Sequence, residues 1–331
     1  MNRRGTWRGI AVPRAARYNI AMPIPLLVIV GPTGSGKTET AVLAARALGG
    51  EILTADSMQV YCGMDIGTAK PTAAEQQGIP HHLIDLIAPD EEFSVAAYVA
   101  LADRLIDEIR ARGKVPILTG GTGFYISALI DRWTFPPQAA DTALREALRQ
   151  EADQAGGAVL LARLREIDPI TAARLHVHDV KRIIRALEVH QLTGQPLSAF
   201  QHKPAGDAPG RYAPMLYGLT IPRETLYARL ALRVQQQLDA GLLEEIRGLY
   251  AAGYGPELSA MKGITYRQLV GYLRDEYNFD TAVELMVRDN RRYAKRQYTW
   301  FNADPRIRWL DLSVCGGTEG AAREIVASAF P

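Results

Sequence analysis

The chain has 331 residues, 47% hydrophobic and 22% charged, with a net charge of +2. That length suggests about two domains or one core with a large insertion, and the apolar share excludes wholesale disorder and the collagen-like and low-complexity classes. The near-neutral balance excludes a uniformly basic nucleic-acid coat but not a local basic patch, and Cys62 and Cys315 are too few for a disulfide scaffold and lack zinc-site spacing.

Residues 1–21 carry five arginines (Arg3, Arg4, Arg8, Arg14, Arg17) and no acid. Such a stretch reads as a disordered tail, as a start placed too early with Met22 the true one, or as a targeting peptide or nucleic-acid arm. The expectation is a basic, disordered extension over 1–22. The longest apolar run, Ile20 to Val30, is broken by Pro23 and Pro25 and is too short to span a bilayer. No secretory signal pattern is visible. A cytoplasmic protein without membrane attachment is therefore expected, and it is taken to be a monomer.

Ile24 to Val30 is a continuous apolar run, as in a strand buried on both faces. Gly31-Pro-Thr-Gly-Ser-Gly-Lys-Thr38 follows, then an Ala/Leu-rich helical stretch to Leu48. Glu51 to Ala55 predicts a second strand ending at Asp56-Ser57, and His82 to Leu86 a short third. A helix is expected from Val95 to Arg112. Val115 to Thr119 predicts a further strand, stopped by Gly120-Gly-Thr-Gly123. Strands alternating with helices predict an α/β fold with a parallel sheet core flanked by helices over 23–130, and the octet at 31–38, which matches G-x-x-x-x-G-K-[ST], makes that core P-loop NTPase-like. From Asp141 to Thr193 the signals are purely helical, with breaks at Gly156-Gly157 and Asp168-Pro169, and a polar loop follows over 195–210. Pro214 to Thr220 reads as the last strand of the core sheet. That makes 131–210 an inserted helical subdomain and 211–331 the last core strand with a helical C-terminal region. Leu226, Leu230, Val234 and Leu238 mark its clearest helix.

The octet Gly31, Pro32, Thr33, Gly34, Ser35, Gly36, Lys37, Thr38 matches G-x-x-x-x-G-K-[ST], and it lies between a predicted strand and a predicted helix. Its glycines let successive backbone N–H groups turn inward on phosphate oxygens. The following helix adds the positive end of its dipole. Lys37 adds a charge, and the Thr38 hydroxyl can hold Mg²⁺. The loop implies a bound phosphate or pyrophosphate and no more. An ATPase would usually add an apolar strand ending in Asp, whereas Val115 to Thr119 runs into Gly120-Gly-Thr-Gly123. Asp56 lies at the carboxyl end of a strand, which faces the ligand crevice in open α/β sheets. As residues alone, it reads equally as metal ligand, general base or ordinary strand-end carboxylate.

Several segments carry a resemblance. They are Thr54-Ala-Asp-Ser-Met-Gln-Val-Tyr61, Gly63-Met-Asp-Ile-Gly-Thr-Ala-Lys-Pro71, Pro80-His-His-Leu-Ile-Asp85, Pro116-Ile-Leu-Thr-Gly-Gly-Thr-Gly123, Lys181-Arg-Ile-Ile-Arg-Ala-Leu-Glu188 and Tyr293-Ala-Lys-Arg-Gln-Tyr-Thr-Trp-Phe301. In this order and spacing, over about 23–310, the chain closely resembles the tRNA dimethylallyltransferase (isopentenyltransferase) family. The resemblance implies transfer of a dimethylallyl group from dimethylallyl diphosphate to N6 of adenosine 37, beside the anticodon, in tRNAs reading codons that begin with U. It implies a P-loop that holds a diphosphate leaving group, with Mg²⁺. Asp56 matches the family's catalytic aspartate, Arg233 the arginine that reaches the reacting site, and Thr122 a threonine lining the channel where adenine meets donor. Arg229 lies one turn from Arg233, on the same helix face.

A stacked anticodon adenine must be flipped out to reach a buried diphosphate. Backbone contacts must then hold the anticodon stem-loop of the tRNA. The candidates are Asp56, Ser57, Met58 and Gln59 at the channel mouth; Lys181, Arg182, Ile183, Ile184 and Arg185; and Lys262, Gly263, Ile264, Thr265, Tyr266 and Arg267. In 181–185, Ile183, Ile184 and Leu187 form an apolar helix face that frees the basic residues for phosphate. The stretch from Arg288 to Gln297 is basic and interleaved with aromatics, which suits RNA, although Trp300 and Phe301 are expected in the core. Two departures from the family pattern are Thr265, where many members have glycine, and Asn290, where many have threonine. His176 and His178 lack further metal ligands nearby and are expected to face RNA or to be structural. Three other readings are weighed: a small-molecule kinase, a prenyltransferase acting on free AMP, and a non-catalytic RNA-binding protein. The basic helical region counts against the second, and intact Lys37, Thr38 and Asp56 against the third.

Overall fold

A strand buried on both faces needs a helical layer on each side, and β1 (Ile24–Val30) receives both. The computed structural model describes residues 23–136, 141–200 and 210–329. The extension expected over 1–22, and most of the polar loop expected over 195–210, lie outside the described residues. Contacts divide the described residues into two units, 23–130 with 210–329 and 131–200.

In the first unit β1 is followed by α1 (Lys37–Leu48), β2 (Gly50–Ala55), the single turn α2 (Ala73–Gln76), β3 (His81–His82), α3 (Val95–Ala111), β4 (Val115–Gly120) and α4 (Gly123–Ile130). The second unit holds α5 (Thr142–Ala155), α6 (Gly157–Ile167), α7 (Pro169–Ala172) and α8 (Val180–Thr193). The chain returns to the first unit with β5 (Tyr212–Thr220), α9 (Arg223–Asp239), α10 (Leu242–Ala251), α11 (Ile264–Leu273), α12 (Phe279–Asn302), β6 (Arg308–Asp311) and α13 (Gly317–Ala329).

The sheet runs β3-β2-β4-β1-β5-β6, every neighbouring pair parallel. Alternate residues point to opposite faces. Leu27, Ile29, Ile52 and Ile117 pack against α1 and α13. Leu26, Val28, Leu53 and Leu118 pack against Tyr98, Ile106 and Ile109 of α3 and Ile126 and Leu129 of α4. In α9, Leu226, Leu230 and Val234 are buried as their spacing predicts. A further core joins α9 to α12 with Val60, Tyr61 and Met64 of the loop after β2.

Two strands differ from expectation. The third strand, expected over His82 to Leu86, stops after His82. Leu83 and Asp85 take φ of +66° and +54°, a left-handed backbone that no strand can contain. The stretch after Arg223, expected to be wholly helical, contains β6, so β5 is not the last core strand. β5 is interior, in register with β1 from Ile24↔Tyr212 to Val30↔Gly218, and β6 forms the edge. Four residues with two apolar side chains, Trp309 and Leu310, leave little periodicity to detect.

In the second unit α5 and α6 are separated at Gly156, whose φ of +84° suits glycine. Asp168 caps α7, accepting the Thr171 N–H at 3.0 Å, with Pro169 in the first turn. Both breaks fall where the sequence puts them. Leu148, Leu160, Leu164, Ile183, Ile184 and Leu187 form this unit's core.

Candidate active site

Register brings the chemistry together. Val30, Gly120 and Ala55 lie in one row across β1, β4 and β2. The residues that follow this row are Gly31 of the glycine-rich loop, Gly121-Thr122, and Asp56. All three loops leave the same carboxyl edge of the sheet.

The loop after β1 needs its first glycine. A Cβ on Gly31 would sit 2.7 Å from the Leu219 carbonyl oxygen and 2.9 Å from the Ser35 Oγ, at a φ of +147°. The Ser35 N–H donates to the Pro32 carbonyl at 3.2 Å, and Lys37 Nζ donates to the same oxygen at 2.8 Å. At the start of α1, no side chain caps Gly36, and the helical ladder begins with the Thr40 N–H on the Gly36 carbonyl at 3.0 Å. The first-turn N–H groups therefore have no intrahelical partner, as an anion seat requires. Burial pulls the Lys37 ammonium down to about 7; the Arg233 charge adds to the pull and Asp56 opposes it. Burial also lowers Arg233, half-buried on α9, against the pull of Asp56 and Glu75. Lys37, Arg233 and Asp56 thus share one electrostatic neighbourhood. Arg229, one turn away, is exposed.

Asp56 is half-buried, and its Oδ1 accepts the Met58 N–H at 2.9 Å. The Thr122 N–H donates to the Ala55 carbonyl at 3.0 Å, and the Thr122 hydroxyl accepts the Ser57 N–H at 3.1 Å. Tyr98 and Tyr125 stack at 4.2 Å beneath this corner, and the Tyr98 hydroxyl donates to the Thr54 carbonyl at 3.2 Å. Burial raises both phenols, and the Asp56 charge adds to each.

Two residues of α12 complete the corner: Gln297, to which the sequence assigns no role, and Tyr293, which it marks only as one of the aromatics interleaved with the basic stretch. Gln297 accepts the Thr33 N–H at 2.8 Å and donates to the Gly121 carbonyl at 2.9 Å. The Tyr293 phenol is raised to about 12 by burial and by Asp56, against hydrogen bonds with Thr122 and Gln297. Their spacing of one helical turn inside the quoted motif is the signal that could have drawn attention to them.

The expected RNA-binding residues separate into different environments. Ser57 and Met58 are half-buried beside Asp56. Gln59 donates its amide to the Thr68 and Ala69 carbonyls at 3.2 and 3.1 Å, so it holds the 63–71 loop. On α8, Lys181 and Arg182 are exposed. Ile183 and Ile184 form the apolar helix face expected of them, and as RNA contacts they are corrected: at 0% and 4% exposure their side chains belong to the second unit's core. Arg185 is half-buried and ties its guanidinium to the fully buried Glu188 at 2.6 Å, which gives it a structural partner that, among the described residues, Lys181 and Arg182 lack. Over 262–267, Lys262 donates to the Glu257 carbonyl, and Gly263 and Ile264 are half-buried. Thr265 and Tyr266 are corrected to buried positions; the Tyr266 hydroxyl donates to Glu245 at 2.6 Å. Glu245 also accepts the N–H groups of Asp65, Ile66 and Gly67, fixing the 63–71 loop. Thr265 has a helical backbone, so no glycine is needed there.

The basic face of α12 is partly consumed by ion pairs. Arg267, Arg288 and Arg292 converge on the buried Asp289 at 2.7, 2.9 and 3.7 Å. Arg292, Lys295 and Arg296 are exposed. Phe301 is core as expected, but Trp300 is corrected: it is 43% exposed and meets Phe124 edge-on. His176 and His178 are exposed, with ring centroids 4.8 Å apart.

Among the described residues no three His, Cys, Asp or Glu side chains stand together to hold a metal. The exposed Thr38 hydroxyl stands in the first turn of α1, beside the anion seat. One hydroxyl, completed by phosphate oxygens and water, suits a small hard divalent cation.

A family model described as IPP transferase matches residues 59–304. The tRNA dimethylallyltransferase of Symbiobacterium thermophilum is 51% identical over 92% of this chain and 95% of its own length. That of Desulforudis audaxviator is 49% identical over 93% and 99%. Among solved structures, the full-length tRNA isopentenylpyrophosphate transferase of Bacillus halodurans is 39% identical with a TM-score of 0.64, covering 92% of this chain and 98% of that one. A eukaryotic dimethylallyltransferase, solved in crystallographic snapshots of its action on tRNA, is 28% identical with a TM-score of 0.78, covering 91% and 78%.

Proposed function

The chain belongs to the IPP transferase family, and from that premise we propose how its residues transfer a dimethylallyl group from dimethylallyl diphosphate to N6 of adenosine 37 in tRNAs reading codons that begin with U. The observation that carries this reading is the single row Val30–Gly120–Ala55, which delivers the phosphate cradle, Thr122 and Asp56 to one edge.

The cradle seats the diphosphate on the first-turn N–H groups of α1, with Lys37 as counter-charge. As the bond from the prenyl C1 to the diphosphate oxygen breaks, negative charge grows on the leaving group. The amides, Lys37 and Arg233 are placed to stabilise it. An allylic carbon tolerates this because its positive charge is delocalised. Adenine N6 forms the new bond to C1, and its proton passes to the Asp56 carboxylate, which is poised as general base. Diphosphate leaves as the second product. Thr122 orders the loop beside Asp56 through the Ser57 N–H.

Thr38 is the side chain that would hold Mg²⁺, which when bound would neutralise diphosphate charge as a Lewis acid. The anticodon base must be flipped into the site, at a cost of a few kcal/mol recovered from contacts to the RNA. Lys181 and Arg182 are the exposed cations of α8 suited to backbone phosphate. The protein works as a cytoplasmic monomer on this reading. The direct experiment is incubation with dimethylallyl diphosphate and unmodified tRNA, followed by nucleoside mass analysis. A mass gain of one isopentenyl group on adenosine is expected, and unmodified adenosine throughout overturns the reading.

A further inference from the structure

We infer that Gln297 is a positioning residue whose buried amide sets the phosphate cradle against the acceptor loop, fixing the distance between the departing diphosphate and the base. The inference rests on the reading of the cradle given above. Gln297 is 4% exposed, and both ends of its amide are used. Its oxygen takes the Thr33 N–H at 2.8 Å, and its nitrogen donates to the Gly121 carbonyl at 2.9 Å. These partners lie 264 and 176 residues away in the chain.

Neither partner belongs to a core. Thr33 lies within the cradle, and Gly121 precedes Thr122, whose hydroxyl takes the Ser57 N–H next to Asp56. β1 and β4 are neighbours as far as Val30↔Gly120, and beyond that row the two loops diverge from the ladder. Gln297 supplies, from α12, the cross-link that the ladder no longer makes. The fit is close: a Cβ on Gly121 would lie 2.1 Å from the Gln297 nitrogen. The Thr33 N–H is spent on Gln297, while the first-turn N–H groups of α1 stay turned to the anion seat. The side chain therefore acts through the loops and not on substrate.

Two variants separate positioning from plain packing. Gln297→Met keeps the volume and loses both hydrogen bonds. Gln297→Glu keeps the acceptor for Thr33 but turns an oxygen on the Gly121 carbonyl. Once protonated it donates there as the amide does, and burial beside a carbonyl raises its pKa. We expect the Met variant to lose turnover by about a hundredfold, the scale for a misplacement of about 1 Å. Inorganic pyrophosphate should bind it several-fold more weakly, while RNA affinity and melting temperature change little. The Glu variant should match that loss at about pH 8 and recover relative to wild type at about pH 6, as its carboxyl protonates. Wild-type turnover and pyrophosphate affinity in the Met variant overturn the inference, as does an equal loss at both pH values in the Glu variant. Failure of the wild-type protein to bind pyrophosphate would instead sink the reading of the cradle itself. Should the Met variant not fold, the pH recovery of the Glu variant decides.

Discussion

The Thr122 hydroxyl accepts the Ser57 backbone N–H at 3.1 Å, joining the end of β4 to the segment that carries Asp56. Thr122→Val keeps the shape and strands that N–H, at a cost of about 1–3 kcal/mol for an unsatisfied donor. If the cost falls on the geometry of Asp56, kcat/KM for tRNA should drop about tenfold, since about 1.4 kcal/mol corresponds to one decade. Thr122→Ser should restore it. Steady-state kinetics at saturating dimethylallyl diphosphate make the measurement, and an unimpaired Val variant would remove Thr122 from the mechanism.

Asp56 has a sharper expectation. Asp56→Ala should lower single-turnover rates by about a hundredfold or more, the range for losing a general base. Binding of tRNA should persist, because the loss of one contact to the flipped base leaves the phosphate contacts proposed for Lys181 and Arg182 in place. A variant that turns over normally is incompatible with Asp56 as the proton acceptor.

What the sequence reveals divides along physical lines. The first strand, the cradle and α1 are legible because their information is local: an apolar run, glycines at fixed offsets, then a helical repeat. Asp56 and Thr122 are legible as strand-end residues and through the family resemblance. β6 escapes because four residues at a sheet edge carry almost no period. Gln297 escapes because a buried amide looks like any surface glutamine until its partners, far off in the chain, fold onto it. Ile183 and Ile184 are legible as core from their apolar helix period, whereas Tyr266 misleads because a motif marks a segment and helix geometry decides which of its side chains face outward.

Lys37 makes the cradle sensitive to pH. Burial lowers its pKa from 10.5 to about 7, Arg233 assists and Asp56 opposes. Pyrophosphate affinity should therefore weaken as pH rises through about 7, with a proton taken up on binding above that point. Arg233→Met removes the repelling charge, so the break in the affinity profile should move to higher pH. The ligand's own ionisation is common to both proteins and cancels in the comparison. For folding the sign is opposite. Between about 7 and the ordinary lysine value the unfolded chain holds more protons than the folded one, so this group's contribution to stability rises with pH. Titration calorimetry across that window is the check, and identical profiles for the two proteins would remove Arg233 from the neighbourhood of Lys37.

Arg182 and Arg185 are neighbours on α8 with different tasks, and salt separates them. Arg182 is exposed. A phosphate contact there releases counterions, so Arg182→Ala should weaken tRNA binding and reduce the slope of log affinity against log salt by about one. Arg185 is tied to Glu188, a fully buried carboxylate that Arg145 also holds at 2.7 Å and the Asp141 N–H at 3.0 Å. Burial pushes Glu188 up, and these hydrogen bonds more than offset it, so its pKa lies below the ordinary carboxylate value. Removing one guanidinium leaves part of that charge uncompensated. Arg185→Ala should therefore destabilise the second unit by about 1–3 kcal/mol while leaving the salt slope intact at temperatures where the unit stays folded. A calorimetric melt and a salt titration on both variants test the division. The same slope change in both would return Arg185 to the RNA surface, and no slope change in Arg182→Ala would take Arg182 out of the phosphate interface.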